Sequence, residues 1–211
     1  MDLLAVEQKA RQFLDNAKGH HDWEHVQRVL RLALHIGEKE GADLEVLQLA
    51  VLLHDVARPL EFNSKGKICH AKKSSEIARR ILNELNYDSI KVEAVCHCIE
   101  SHRYRNDVEP TTIEAKVLFD ADKLDQIGAV GIGRAFLFAG EIGAKLHNPE
   151  IEVEKTKSYS IDDTAYREFV VKLRKVKDKM FTSEGKRIAL NRHNFMVDFF
   201  ERLTLEANGL L

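Results

Sequence analysis

The residues best suited to chemistry in this sequence are histidines and aspartates near the ends of predicted helices. The adjacent pair His54 and Asp55 ends one such helix. His54 continues the apolar stripe of that helix, which comprises Leu47, Ala50 and Val51. A buried aspartate is unfavourable unless it is paired or coordinates a cation. The inward pair therefore favours metal binding, although a core histidine with satisfied hydrogen bonds remains the alternative.

Two further helical patterns deliver an imidazole near one end. His25 opens its helix beside the apolar Val26, and His102 ends a stripe that includes Val95 and Ile99. If these helices pack antiparallel, their ends can meet. A downstream segment adds carboxylates, namely Asp120, Asp122 and Asp125. Imidazoles with carboxylates, held between the helices of a bundle, suit a divalent cation such as manganese, iron, nickel, cobalt or zinc. Capping and surface histidines are an equally good interpretation of these residues alone.

Helical periodicity dominates the chain, and no strong run of alternating apolar and polar residues appears. The predicted fold class is therefore all-α. Helices are predicted over residues 22–40, 43–57, 74–85, 89–102, 111 toward 128, 164–181 and 185–205. Residues 60–71 and 103–110 are predicted to be loops, and 145–163 a connection or lid. The small apolar segment 128–143 lacks the full dinucleotide fingerprint, which favours tight helix packing over a phosphate loop.

Composition indicates an ordinary globular protein. Hydrophobic residues make up 44% and charged residues 31% of 211 residues, and the formal net charge is -2. This balance gives no global attraction to nucleic acid or to anionic membranes. We see no apolar run long enough to span a bilayer and no signal peptide. Three cysteines argue against a disulfide framework and for a reducing cytoplasm, so we expect a cytoplasmic location.

The order H…HD…D resembles the HD superfamily of phosphohydrolases. The local context that carries the resemblance is HDWEHVQRV around His25, LAVLLHD at His54 and VLFDADKLDQIGAVGIGRAF around Asp122. The C-terminal run GKRIALNRHNFMVDFFERL is similar to a subgroup of small predicted HD hydrolases, some of them described as nucleotide pyrophosphohydrolases. The resemblance covers nearly the whole chain.

The resemblance implies an all-α HD-domain bundle with the metal at its centre and C-terminal helices packed on it. We expect an HD domain over residues 1–145 and a connecting segment with C-terminal helices over 146–211, forming one structural unit. By position, the residues that match the family's four metal ligands are His25, His54, Asp55 and Asp122. Spacing alone does not choose Asp122 over Asp120, and the choice follows the motif match.

Members of the superfamily with two metals add histidines between the HD pair and the last aspartate, and His70 and His102 fall at matching places. These two are expected to hold a second metal, to contact phosphate or to donate a proton. Some nucleotidases of the superfamily carry an acidic residue three positions after the HD aspartate, where this chain has Arg58. An arginine there suits a phosphate contact. Further candidates for substrate contact or orientation are His21, Lys73 and Lys123.

The resemblance implies a metal-dependent phosphohydrolase acting on a small phosphorylated molecule, with a nucleoside triphosphate cleaved to monophosphate and pyrophosphate as the first choice. A nucleoside-monophosphate phosphatase and a nucleotide- or metal-sensing module with little turnover are the alternatives. The cation is expected to be manganese, cobalt, nickel, iron, zinc or magnesium. No nucleic acid polymer and no membrane is expected as a partner, and the oligomeric state stays open.

Overall fold

The computed structural model describes residues 2–14, 23–64, 66–103, 108–150 and 152–211. Across these ranges every regular element is helical and no strand occurs, which confirms the all-α fold class. The α-helices are α1 (Leu3–Leu14), α2 (Trp23–Glu40), α3 (Leu44–Leu53), α4 (Arg58–Asn63), α5 (His70–Glu84), α6 (Ser89–Ser101), α7 (Ile113–Leu124), α8 (Gly128–Glu141), α9 (Ala165–Val171) and α10 (Ser183–Ala207). Short 3-10 segments span Val153–Lys155 and Leu173–Lys179. None of the described helices combines the length and apolarity that crossing a bilayer requires.

The chain divides into two compact units. One comprises Met1–Asp122 and Phe181–Gly185, and the other comprises Lys123–Met180 and Lys186–Leu211. The division into 1–145 and 146–211 that the sequence suggests remains a prediction about where the HD domain ends.

Helix α3 lies at the centre of the first unit. Seven of its ten residues are buried, as expected for a helix that is apolar on all sides. It packs against α2 and α6, and α5 packs against α6. Asp43 caps the beginning of α3 by accepting from the backbone N–H groups of Glu45 and Val46. This cap and these neighbours hold α3 in place, and they thereby fix the position of the residues that follow its last turn.

The region that follows α3 differs from the sequence-based prediction. Helix α3 ends at Leu53, four residues earlier than predicted. A turn then leads into α4, which extends into the segment 60–71 that was predicted to be a loop. Pro59 lies in the first turn of α4, where a missing N–H is tolerated. Helix α5 begins at His70, four residues earlier than predicted. Helix α1 was not predicted, because charges interrupt its apolar pattern.

The second unit contains the glycine-rich segment, which forms α8 and confirms the helix-packing interpretation. A Cβ atom at Gly131 would lie 2.2 Å from the backbone oxygen of Gln126, so only glycine fits there. The single helix predicted over residues 164–181 is interrupted at Lys172 and continues as a 3-10 segment. Phe169 and Phe200 stack in this unit, with ring centroids 4.7 Å apart.

Asp120 is a structural residue of the first unit. Its two carboxylate oxygens accept from the backbone N–H groups of Phe181 (2.9 Å) and Thr182 (2.8 Å) and from the Thr182 hydroxyl (2.6 Å). The Thr182 hydroxyl oxygen also accepts from the N–H of Gly185, which is the geometry of a cap at the beginning of α10. Asp120 therefore fixes the segment Phe181–Gly185, and its carboxylate oxygens are already engaged.

We expect Asp120→Ala to lower the free energy of unfolding by about 2–4 kcal/mol, because it leaves three donors without their charged acceptor. Thr182→Val removes one of these donors together with the helix cap and should lower it by a smaller amount, about 1–2 kcal/mol. Urea unfolding of the metal-free protein, followed by circular dichroism, measures both changes. A wild-type midpoint for Asp120→Ala would refute the structural role.

Candidate metal centre

Helix ends in the first unit bring four histidines and two aspartates together. His25 lies in the first turn of α2, and His70 is the first residue of α5. His54 and His102 directly follow the last residues of α3 and α6. Asp55 lies in the turn after α3, and Asp122 in the last turn of α7. All six side chains are buried, with residue exposures of 5% or less.

His25, His54 and Asp122 form the first cluster. Each offers one ligand atom, and the three atoms lie within 4.8 Å of one another. His25 Nε2 is 3.4 Å from Asp122 Oδ1. Metal–ligand bonds of about 2.0–2.2 Å put two ligands of one ion roughly 3–3.5 Å apart. The His25–Asp122 distance fits this requirement.

Asp55, His70 and His102 form the second cluster, again with ligand atoms within 4.8 Å of one another. His70 Nε2 lies 3.2 Å from Asp55 Oδ1 and 3.2 Å from His102 Nε2. The distance from His102 Nε2 to Asp55 Oδ1 is 3.7 Å. These distances also agree with ligands that share one small cation.

The carboxylate of Asp55 lies between the two clusters. Its Oδ2 is 3.8 Å from His25 Nε2 and 3.7 Å from His54 Nε2. Its Oδ1 faces His70 and His102. One carboxylate with an oxygen toward each cluster is the arrangement that can bridge two cations.

Backbone carbonyls set the protonation of two imidazoles. His54 Nδ1 is 2.7 Å from the carbonyl of Val51, and His102 Nδ1 is 2.5 Å from the carbonyl of Ile99. Because a carbonyl only accepts, we assign the ring proton to Nδ1 in both residues. Each Nε2 then carries a lone pair. Within the described residues, the buried Nε2 of His54 has no hydrogen-bond partner, which is what a ligand to an ion requires.

His70 has the same tautomer for a different reason. Its Nδ1 is 2.6 Å from Glu61 Oε2, and a carboxylate can only accept. Arg58 Nη1, which can only donate, lies 2.8 Å from the same Nδ1 and 3.3 Å from Nε2, but it also lies 2.9 Å from Glu61 Oε2, and we take this charged carboxylate as its acceptor. We therefore assign the Nδ1 proton to the Glu61 contact. His70 Nε2 and His102 Nε2 then face each other as two acceptors, an arrangement that a cation between them would stabilise.

Burial keeps His54 and His70 neutral. Desolvation lowers the pKa of His54 to about 4, against the opposing charge of Asp55. Desolvation likewise lowers the pKa of His70 to about 3. Partial burial acts to raise the pKa of Glu61, but His70, Arg58 and Arg103 together hold it below its ordinary value. The lone pairs are therefore available near neutral pH without competition from protons.

The helix ends add to the electrostatics. His54 and His102 lie at the C-terminal ends of α3 and α6, where the helix dipole is negative. A partial negative charge favours a cation at these positions. The donor set is composed of imidazole nitrogens and carboxylate oxygens, which suits manganese, cobalt, nickel, iron or zinc better than calcium.

The other predicted residues lie in several environments. Lys73 Nζ is 2.6 Å from the exposed carboxylate of Glu76. Arg58 lies beside His70, and Lys123 belongs to the second unit. His21 lies outside the described residues. Asp125, named among the carboxylates, accepts from Arg134 in the second unit at 2.8 Å.

Two neighbours of the second cluster were not predicted from the sequence. Glu61 contacts His70, and Arg103 donates to Glu61 Oε1 at 2.5 Å. Both fall in segments assigned to loops, where helical spacing gives no orientation. Glu61 lies three residues after Arg58, and residues at this spacing are neighbours on a helix. A helix predicted over this segment would therefore have indicated that Glu61 lies next to Arg58.

The similarity of this chain to known proteins identifies its family. The model of the HD domain matches residues 22–127. The chain is 36% identical to YpgQ of Bacillus subtilis over 208 residues, with 93% of this chain and 88% of the relative covered. It also resembles the crystal structure of an HD-superfamily hydrolase from Bacillus thuringiensis, with a TM-score of 0.78, 29% identity and 98% and 97% of the two chains covered.

A crystal structure of B. subtilis YpgQ in complex with ADP is similar as well, with a TM-score of 0.74, 31% identity and 97% of each chain covered. The chain therefore belongs to the HD superfamily of metal-dependent hydrolases.

Removal of one proposed ligand should strongly weaken metal binding in the cluster to which it belongs. We expect His54→Gln and Asp122→Ala each to weaken binding of manganese by more than about 100-fold, because loss of an outer-shell partner alone weakens binding about 10–100-fold. Isothermal titration of metal-free protein with manganese measures this. His97→Gln, in α6 and bonded to Thr111 instead of to the clusters, is the matched control. Wild-type affinity in His54→Gln would exclude His54 as a ligand.

The pKa of His54 predicts a pH dependence of the metal-free fold. An unfolded chain has His54 at its ordinary pKa of 6.5, whereas burial lowers the pKa to about 4 in the folded chain. Between these values the unfolded state binds more protons, so the free energy of unfolding falls as the pH falls from 6.5 to 4. Urea unfolding at pH 7 and pH 5 measures this loss. It should be smaller in His54→Gln, and an equal loss in both proteins would contradict the assignment.

Proposed function

We propose that the protein hydrolyses a phosphate ester or anhydride of a nucleotide, with a divalent cation held by His25, His54, Asp55 and Asp122. The observation that carries this proposal is the convergence of buried imidazole and carboxylate ligand atoms from separate helix ends. In a purely structural helical protein, the buried lone pair on His54 Nε2 would be left unsatisfied among the described residues.

We further propose that Asp55, His70 and His102 hold a second cation next to the first. The position of Asp55 between the two clusters supports this, since one carboxylate oxygen faces each. Bound cations would lower the pKa of a coordinated water and polarise a phosphoryl oxygen. The protein's own part is to fix the ligands at helix ends and to keep His54 and His70 neutral.

Charged groups at the edge of the second cluster support a phosphorylated substrate. Arg58 is 31% exposed at its side chain and lies beside His70, and Arg103 is 21% exposed. A guanidinium has five N–H donors, so each can bond Glu61 and still donate to a phosphate oxygen. Charge-assisted bonds of this kind stabilise the negative charge that develops during phosphoryl hydrolysis.

A nucleoside triphosphate cleaved to monophosphate and pyrophosphate is the proposed reaction. The ADP complex of B. subtilis YpgQ supports a nucleotide as the substrate class, since that protein is 36% identical over most of this chain. The negligible net charge of -2 agrees with a small-molecule substrate in preference to a nucleic acid polymer.

A product screen tests the reaction. Nucleoside tri-, di- and monophosphates are incubated with the protein and manganese or cobalt, and pyrophosphate and phosphate are assayed separately. We expect pyrophosphate from triphosphates, at least about 100-fold less product with Asp55→Ala, and wild-type rates with the control His97→Gln.

The other outcomes separate the alternatives. Phosphate released from monophosphates would identify a phosphatase in place of a pyrophosphohydrolase. Tight nucleotide binding without turnover, in the presence of bound metal, would identify a sensor. Unchanged turnover in Asp55→Ala would reject the assigned site altogether.

A further inference from the structure

His70 differs from the other imidazoles of the two clusters in how its Nδ1 is held. His54 and His102 each follow the last residue of a helix, and each Nδ1 donates to the carbonyl three residues earlier. Carbonyls in the last turn of a helix have no partner within the helix, so they are available for such a bond. His70 is the first residue of its helix and follows extended backbone at Cys69. Residues 66–69, which lie directly before it, are not helical, so the acceptor comes from another element.

Glu61 of α4 supplies that acceptor. Its Oε2 is 2.6 Å from His70 Nδ1, a distance typical of a strong charge-assisted hydrogen bond. The side chain of Glu61 is 12% exposed, so water competes little for the carboxylate. On the other side of the ring, His70 Nε2 is 3.2 Å from Asp55 Oδ1.

Two arginines fix the orientation of the Glu61 carboxylate. Arg103 Nη1 donates to Oε1 at 2.5 Å, and Arg58 Nη1 donates to Oε2 at 2.9 Å. With both oxygens engaged, the carboxylate has little freedom to rotate away from His70. The contact between Glu61 and His70 is thus imposed together by α4, by α5 and by Arg103, which lies two residues after the end of α6.

We propose that Glu61 is a positioning residue that keeps the proton of His70 on Nδ1 and directs the Nε2 lone pair toward Asp55 and His102. The inference rests on the proposed function in one respect, namely that the second cluster binds a cation. Carboxylates that accept from the free N–H of a ligating imidazole orient the ring and make the ligand more basic. Glu61 would therefore raise the affinity of the second cluster without contacting the cation itself.

A different role for Glu61 would be to neutralise Arg58 and Arg103. Two variants separate these roles. Glu61→Gln removes the negative charge but retains an oxygen that can accept from His70, whereas Glu61→Leu removes both. If Glu61 positions His70, the glutamine variant should retain most of the effect. If the charge alone matters, the two variants should behave alike.

The first readout is the tautomer of His70 in the metal-free protein, taken from imidazole nitrogen chemical shifts in nuclear magnetic resonance spectra. We expect a single Nδ1–H tautomer in the wild type and in Glu61→Gln, and a mixture of tautomers in Glu61→Leu. The matched control is Glu76→Leu, which breaks an exposed ion pair with Lys73 on α5 and should leave the His70 tautomer unchanged.

The second readout is the manganese titration. The wild type should bind two ions, and Glu61→Leu should bind the second about 10–100-fold more weakly while the first is unaffected. Glu61→Gln should lie within a few-fold of the wild type. Thermal unfolding of each metal-free variant identifies any variant that fails to fold.

The outcomes distinguish this inference from the proposed function. A mixed or Nε2–H tautomer in the wild type, or one tautomer in all variants, would overturn the role of Glu61. Equal weakening in Glu61→Gln and Glu61→Leu would assign Glu61 to charge neutralisation instead. If the wild type binds no manganese, the metal proposal fails, yet the tautomer measurement still decides whether Glu61 controls His70.

Discussion

The structure of the first unit depends on one electrostatic constraint: hydrogen-bond acceptors face one another in a buried space. His54 and His102 use their ring protons on backbone carbonyls, and His70 uses its ring proton on Glu61. Their Nε2 lone pairs then face the carboxylate of Asp55 and one another. Such an arrangement is unfavourable in a buried environment unless positive charge lies within it. A divalent cation would satisfy the requirement, which is the physical basis of the metal site proposed for this HD-superfamily hydrolase.

Helix ends are the structural means of meeting this constraint. A ligand at a helix end is held by a rigid element, and the unpaired carbonyls there provide the acceptors that set imidazole tautomers. The apolar α3 is central because it carries both His54 and, one residue later, Asp55. Packing of α2 and α6 against α3 then brings His25 and His102 within reach. The same contacts that form the core therefore also assemble the site.

Neighbouring aspartates on α7 show how tertiary contacts divide roles that the sequence cannot separate. Asp120 and Asp122 are two residues apart, and both are buried. Asp120 accepts three hydrogen bonds from the segment that precedes α10, whereas Asp122 faces His25. The motif order favoured Asp122, but no periodicity argument excluded Asp120. The two roles are distinguished by tertiary contacts, because Phe181 and Thr182, more than 60 positions later in the chain, bond to Asp120.

The sequence by itself determined the helical class, the buried stripes and the histidines that end them, because a period of 3.6 residues is a local property of the chain. It also indicated His25, His54, Asp55, His70, His102 and Asp122 through their order and resemblance. The tertiary structure alone decided the helix α4, the contact of Glu61 with His70 and the acceptors from which the imidazole tautomers are assigned. These depend on which acceptors lie within about 3 Å of a ring nitrogen, and such distances arise from packing between segments that are remote in the chain.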